Sequence, residues 1–297
     1  MITTYVLREA NVASGNTGLY FVQSRGETRR ASLPGGGAAV AVAGAFATFT
    51  PMQTSISAAF TSLNGISLGS SGGNSANGTI DGRNAAGCGG GALPAIAAPN
   101  GSVLLGKGFK ESSLVGTPKI LSQGSTSEAV SATRINWSEI VRADGPIAAD
   151  YSIRANFAPP SPWPSQAAFD SVPTIRVLNR GQSALDLPNG AGKGLLIVAG
   201  DLDISGNTNW EGIILVGGRL TFSGGRNAQI TGAVVTGLNY ETLDPGTLPR
   251  ADFRDDDSDF NGAVNITYNS CAVINSVVKF GSLRVVGRTW VNNLPSY

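Results

Sequence analysis

"GLLIVAGDLDISGN", residues 194–207, is followed by "GIILVGGRLTFSGG", residues 212–225, and the two align without a gap at an offset of 18. Gly194 falls on Gly212, Val198 on Val216, Gly200 on Gly218, Leu202 on Leu220, Ile204 on Phe222 and Gly206 on Gly224. A third copy begins at "GAVVTG", with Gly232 standing 20 residues beyond Gly212, and "GAVNITYNSCAVI" from Gly262 reads as a fourth. A unit this short cannot bury its own apolar side chains, so it must stack on copies of itself. The fold expected is mainly β: a right-handed parallel β-helix, or β-solenoid, of short glycine-cornered rungs, with an N-terminal β-hairpin and one or two short helices packed on it.

The two strands of each unit carry different patterns. "LLIVA" and "IILV" are apolar throughout, which marks a strand covered on both faces. "DLDIS" and "RLTFS" alternate: Leu202, Ile204, Leu220 and Phe222 face inward, while Asp201, Asp203, Ser205, Arg219, Thr221 and Ser223 face water. "LNGISLGSSGGNSANGTIDGRNAAGCGGG", Leu63 to Gly91, has Ile66 and Leu68 alternating and then Ile80, and fits an earlier solenoid turn with a long corner. The layer over the covered strands is expected from "GLYFVQSRGETRRASL", read as strand, turn at Arg25-Gly26-Glu27 and strand, from "AAVAVAGAFATF" up to Phe49, and from a helix over "INWSEIVRA". In that helix Ile140 and Val141 share a face with Trp137, and Asn136 is placed to cap it. Residues 1–50 are thus expected to pack as strands on a solenoid domain spanning 51–297, a single compact unit with insertions at 107–175 and 238–260. The proline run from Pro159 to Pro173 is a connection rather than a strand.

The opening of the first clear copy, "LPNGAGKGLLIVAG", has the look of a phosphate-binding loop. Such a loop needs glycine where Leu187 stands, Ser or Thr where Gly194 stands, and a helix after it. Here an apolar strand follows, so the stretch reads as a surface turn.

Composition narrows the chemistry. The 297 residues contain no histidine, which removes Ser-His-Asp and Cys-His catalysis and ordinary zinc sites. Lys plus Arg number 21 against 20 Asp plus Glu, so no overall field draws the chain to nucleic acid. Cys88 and Cys271 read as buried thiols in preference to one long-range disulfide.

Among binding candidates, "DFRDDDSDFNG" places Asp257, Asp259 and Asn261 ahead of Gly262, the opening of a calcium loop in which alternate oxygens meet a hard cation. Position twelve would be Tyr268 rather than a bidentate Glu. No other cofactor is expected. Trp137, Trp163, Trp210, Trp290 and Tyr240 could form a sugar platform or simply pack. Arg25, Arg29 and Arg30 make a small basic patch, and Lys107, Lys110 and Lys119 are scattered. Asp201 and Asp203 could be paired carboxylates, but Arg219 and Thr221 one unit on favour an ion-pair ladder. Sequons stand at Asn77, Asn100, Asn136 and Asn265.

With "GKGLLIVAGDLDISGNTNWEGIILVGG", "GTIDGRNAAGCGG", "SLVGTPKI" followed by "INWSEIVRADG", and "FNGAVNITYNSCAVIN" in this order, the chain resembles the type IV pilus accessory proteins of the PilX type, over roughly residues 60 to 280. The resemblance implies a non-enzymatic, minor pilin-like structural or adhesive protein with no catalytic residues to transfer. It implies a location at the cell surface, pilus or periplasm of a bacterium. Expected partners are other pilus or cell-surface proteins and surface polysaccharide, with membrane contact only through an N-terminal helix that this sequence does not contain. The rival expectation is a secreted β-helix that binds or cleaves polysaccharide, using calcium at Asp257 and Asp259.

Overall fold

The computed structural model describes residues 2–8, 19–29, 38–51, 55–69, 78–84, 88–106, 109–141, 149, 151–154, 174–178, 184–187, 189–204, 206–223, 228–239, 258–260, 263–277, 281–287 and 291–292. The chain divides into two compact units, Met1–Gln53 with Val278–Tyr297, and Thr54–Val277. Residues 278–297 therefore belong with the N-terminal strands and not with the domain expected over 51–297 as a single compact unit.

The first unit is an antiparallel sheet. Strands β1 (Ile2–Arg8), β2 (Leu19–Arg29) and β3 (Ala38–Pro51) pair in sequence, and β3 also pairs with two strands from the end of the chain, Gly281–Val285 and Val291–Asn292. The turn expected at Arg25-Gly26-Glu27 is not there: these residues lie inside β2, opposite Val42, Ala41 and Val40 of β3. Strand β3, which opens on an alternating Ala/Val run, is 14 residues long, enough to pair β2 from end to end, and that continuous ladder outweighs the local turn preference of Gly26. Phe21 and Phe46 meet across the pair with ring centroids 5.1 Å apart.

In the second unit the strands are short and run in chain order. They are β4 (Phe60–Ser62), β5 (Ile66–Leu68), β6 (Thr79–Asp81), β7 (Ile96–Ala98), β8 (Val103–Leu105), β9 (Leu114–Val115) and β10 (Ile120–Ser122). After two helices, α1 (Thr126–Thr133) and α2 (Trp137–Ile140), come β11 (Tyr151–Arg154), β12 (Thr174–Leu178), β13 (Leu185–Asp186), β14 (Gly190–Val198) and β15 (Leu202–Ile204). Next are β16 (Thr208–Val216), β17 (Leu220–Phe222), β18 (Ala228–Thr236), β19 (Ser258–Phe260) and β20 (Val264–Thr267), then helix α3 (Ser270–Val277).

Every strand pairing among the described residues of this unit is parallel, and the register is the one the repeat dictates. Gly194 lies opposite Gly212, and Gly212 opposite Gly232. Leu202 pairs with Leu220, and Ile204 with Phe222. Residues 190–193, expected as a surface turn, are instead the first half of β14, paired one for one with Thr208 to Glu211. Each long strand is thus two short ones joined at a glycine, and the glycines have φ of +107°, +137° and +144°. Only a residue without Cβ adopts this backbone cheaply. A Cβ on Gly212 would collide with the Gly194 carbonyl, and one on Gly232 with the Gly212 carbonyl.

Three ladders result. The leading one contains the first halves of β14, β16 and β18 and continues through β20, β6 and β9. The middle one contains β11, β12 and the second halves of β14, β16 and β18, then β4, β7 and β10. The closing one is β13-β15-β17-β19-β5-β8. Chain order and ladder order differ, because β18 and β19, late in the sequence, pair directly with the early strands β4 and β5. The Leu63–Gly91 segment is therefore not a first turn at one end but lies beyond the last of the aligned copies.

The middle ladder is buried on both sides from Leu195 to Val198 and from Ile213 to Val216, as its uninterrupted apolar pattern requires. In the closing ladder Leu202, Ile204, Leu220 and Phe222 are buried while Asp203 and Thr221 are half-buried, matching the alternation. Phe260 packs between Phe222 and Phe60, with ring centroids 4.6 and 5.0 Å away. These three rings tie the C-terminal strands to the N-terminal ones. A buried hydroxyl chain reinforces the junction: Ser258 Oγ donates to Thr236 Oγ1 and Thr236 Oγ1 to Ser62 Oγ, both at 3.1 Å.

Helix α3 packs on β14, β16 and β18. This stretch is expected as part of a fourth copy, and among its described residues only Val264–Thr267 is strand. Asn269 Oδ1 accepts the Ala272 N–H at 3.0 Å and starts the helix. Ala272, Val273, Ser276 and Val277 then fall at helical spacing and are buried. A disulfide joins Cys271 in α3 to Cys88, so the expectation of two buried thiols is corrected. Spacing in the chain hid this pairing: the residues are 183 apart, yet the β20–β6 ladder brings their segments together.

The helix expected over 135–143 appears as α2, four residues long. Trp137 is fully buried and its Nε1 donates to Asn239 Oδ1 at 2.8 Å, while Asn239 Nδ2 donates to the Ala199 carbonyl at 3.0 Å. Helix α1 is preceded by Ser125, whose Oγ accepts the Glu128 N–H at 3.3 Å while Glu128 Oε2 accepts the Ser125 N–H at 2.7 Å. This capping box predicts that Ser125→Ala lowers stability by about 1 kcal/mol. In thermal unfolding that is a midpoint lower by about 2–4 °C, and an unchanged midpoint would count against the box.

Candidate functional site

The second unit exposes two strand faces. On the leading ladder Thr208, Trp210, Ala228 and Ile230 are buried, and the residues between them are turned to solvent. Asn209, Gln229, Asn265 and Thr79 follow one another in register as one column, and Glu211, Thr231, Thr267 and Asp81 form the next. Adjacent members stand about 4.8 Å apart, the strand spacing. The Thr79 N–H donates to Asn265 Oδ1 at 3.1 Å, so one carboxamide of the column is fixed by backbone. At the end of the second column Asp81 binds Arg83 through both carboxylate oxygens, at 2.7 to 3.1 Å. Hydrogen bonds from the Arg83 guanidinium hold the Asp81 carboxyl below its ordinary pKa, so the pair's contribution is fully present above that ordinary value and is lost as pH falls through the lowered one.

On the closing ladder the outward column is Asp186, Asp203, Thr221, Asp259, Ser67 and Leu104. Beside it Asp201 Oδ1 accepts the Arg219 N–H at 3.0 Å, with the Arg219 Nε 3.9 Å from Asp201 Oδ2, and Ser223 Oγ donates to Asp203 Oδ1 at 2.8 Å. Of the two aspartates considered as a paired-carboxylate centre, Asp201 thus meets Arg219 one repeat along, whereas Asp203, in register with Thr221, accepts from the uncharged Ser223 hydroxyl.

Of the calcium residues, Asp257 and Asn261 lie outside the described residues. Asp259 is in strand β19, between Thr221 and Ser67, rather than in a loop. Among the described residues no group of three or more acidic or cysteine side chains is gathered for a metal ion. Trp137 and Trp210 are buried, Trp210 donating from Nε1 to the Gly194 carbonyl at 3.2 Å, so neither offers a ring to a sugar. Trp163, Trp290 and Tyr240 are outside the described residues, as are Arg30, Lys107 and Asn77. Arg25 is exposed on β2, and Lys119 pairs with Glu111 at 3.7 Å. Asn100 and Asn136 are exposed, whereas Asn265 is part of the amide column.

Part of that column has a signal in the sequence. Asn209 and Gln229 each stand three residues before an aligned glycine, Gly212 and Gly232, so extending the alignment backwards would have paired them. Asn265 carries no such glycine and could be found only from the ladder.

Comparison with protein-family models, with curated proteins and with solved structures finds no match for this chain. No helix among the described residues is long and apolar enough to cross a membrane.

Proposed function

We propose that Thr54–Val277 is a right-handed parallel β-solenoid and that the chain is a non-enzymatic structural protein working outside the cytoplasm of a bacterium, in type IV pilus assembly or surface attachment. The observation that carries this reading is the set of in-register, largely polar columns on the leading and closing ladders. Repeated hydrogen-bonding groups at strand spacing suit contact with an extended surface, where many weak bonds add along the ladder. The Cys88–Cys271 disulfide supports a location in an oxidising compartment.

The test is deletion of the gene in its bacterium, scored by attachment to surfaces and by the number of pili per cell. Loss of either, restored by the intact gene but not by a version with Asn209→Ala, Gln229→Ala and Asn265→Ala, is expected. Normal attachment and piliation in the deletion strain would sink the proposal. Release of unsaturated products from acidic polysaccharide by the purified chain, lost in Asp257→Ala, would favour the calcium-dependent lyase instead.

A further inference from the structure

The two cysteines of the chain are joined to each other, and they stand in different surroundings. Cys88 is exposed and opens a run, Gly89, Gly90, Gly91 and Ala92, that is exposed throughout. A Cβ added at Gly89 or Gly91 would meet nothing within 4 Å, so the approach along this run is open. Cys271 is half-buried in the first turn of α3.

The segments that carry the two sulfurs are also held together without the bond. Asn84 lies just beyond β6, and its carboxamide reaches both of them. Its Nδ2 donates to the Gly89 and Gly90 carbonyls at 3.1 and 3.2 Å and to Ser270 Oγ at 2.8 Å, its hydrogens being shared among these acceptors. Its Oδ1 accepts the Ser270 N–H at 3.1 Å. Gly89 follows Cys88 and Ser270 precedes Cys271, so this one side chain fixes the backbone next to each sulfur. The Tyr268 N–H, bonded to the Asp81 carbonyl at 2.8 Å, continues the β20–β6 ladder up to this bracket.

We propose that Cys88–Cys271 is a reversible thiol–disulfide exchange site, at which the dithiol of a partner protein enters at Cys88 and thereby loosens α3. The partner's first thiolate attacks Cys88 Sγ, the bond to Cys271 Sγ breaks, and Cys271 leaves as a thiolate. The partner's second thiolate then attacks its own sulfur of the mixed disulfide and releases Cys88. Two electrons pass from the dithiol to the cysteine pair, the two protons it gives up are taken up by Cys271 and Cys88, and the partner ends as a disulfide. Attack is directed to Cys88 on two grounds. Access favours the exposed cysteine, and a thiolate leaves more readily from the first turn of a helix, where the N–H groups and the helix dipole favour negative charge. Reduction removes the covalent tie from α3 but not the Asn84 bracket, so the thiols stay within reach and an oxidant recloses the bond without refolding. Helix α3 is the element that responds, because eight residues do not hold a helix by themselves.

The test uses the full chain without denaturant, with dithiothreitol as the dithiol and glutathione disulfide as the oxidant. Dithiothreitol should make both cysteines alkylatable, and amide exchange read by mass spectrometry should rise about tenfold in Ser270–Val277 while β16 stays protected. Glutathione disulfide should restore the bond, about tenfold more slowly in Asn84→Ala than in the wild type. In the single variants, Cys88 of C271S should react with glutathione disulfide about tenfold faster than Cys271 of C88S. A bond that resists dithiothreitol until the chain is denatured, or whose reduction deprotects β16 as well, overturns the proposal. So does reclosure at the wild-type rate in Asn84→Ala, or a reaction at Cys271 as fast as that at Cys88.

Discussion

Gly212→Ala is expected to destabilise the protein by about 4 kcal/mol, at the severe end of single substitutions. Two effects combine. The residue sits at φ +137°, where a side chain costs about 1–3 kcal/mol, and its Cβ would strike the carbonyl of Gly194 in the neighbouring strand. Neither partner can give way, because the obstacle is backbone held in the ladder and the Ser276 side chain of α3 closes the other side. Gly190 is the control, with φ +138° and nothing within 4 Å of an added Cβ. Gly190→Ala should therefore show the conformational cost alone. Thermal unfolding monitored by circular dichroism should separate the two variants by several degrees, and equal midpoints would remove the steric argument.

The double variant C88S/C271S should lose up to about 5 kcal/mol, the loop-closure entropy of a 183-residue separation. The effect should concentrate in α3. Eight residues are too few to hold a helix in isolation, so α3 depends on its packing against β14, β16 and β18, on the Asn269 cap and on the covalent tie. Amide exchange in Ser270–Val277 should accelerate in the variant more than exchange in β16. Reductant should bring the wild-type midpoint down to that of the variant. A midpoint indifferent to both reductant and substitution would show that the bond carries none of the stability assigned to it.

What the sequence declared, it declared through repetition. The alignment of Gly194 with Gly212 and Gly232 set the register of the central strands, and the two apolar patterns told the covered ladder from the open one. Errors arose where a local signal met a distant partner. Gly190 to Lys193 looked like a turn because two glycines and an alanine surround one lysine, but β16 offered four residues to pair with. "GAVNITYNSCAVI" reads as a fourth copy because it opens on a glycine and an apolar run like the others, but the Asn269 cap at its middle starts a helix. The Cys88–Cys271 bond and the amide column of Asn209, Gln229 and Asn265 depend on β20 lying between β18 and β6, which no local pattern encodes.

Because β4 and β5 stand between the late strands β18 and β19 and the early strands β7 and β8, folding cannot proceed from one end of the chain to the other. The segment carrying residues 60–122 leaves the ribosome with the edges of β4 and β5 unsatisfied until residues 228–260 follow. Such non-local pairing raises contact order and slows folding, and it leaves open strand edges exposed to association in the meantime.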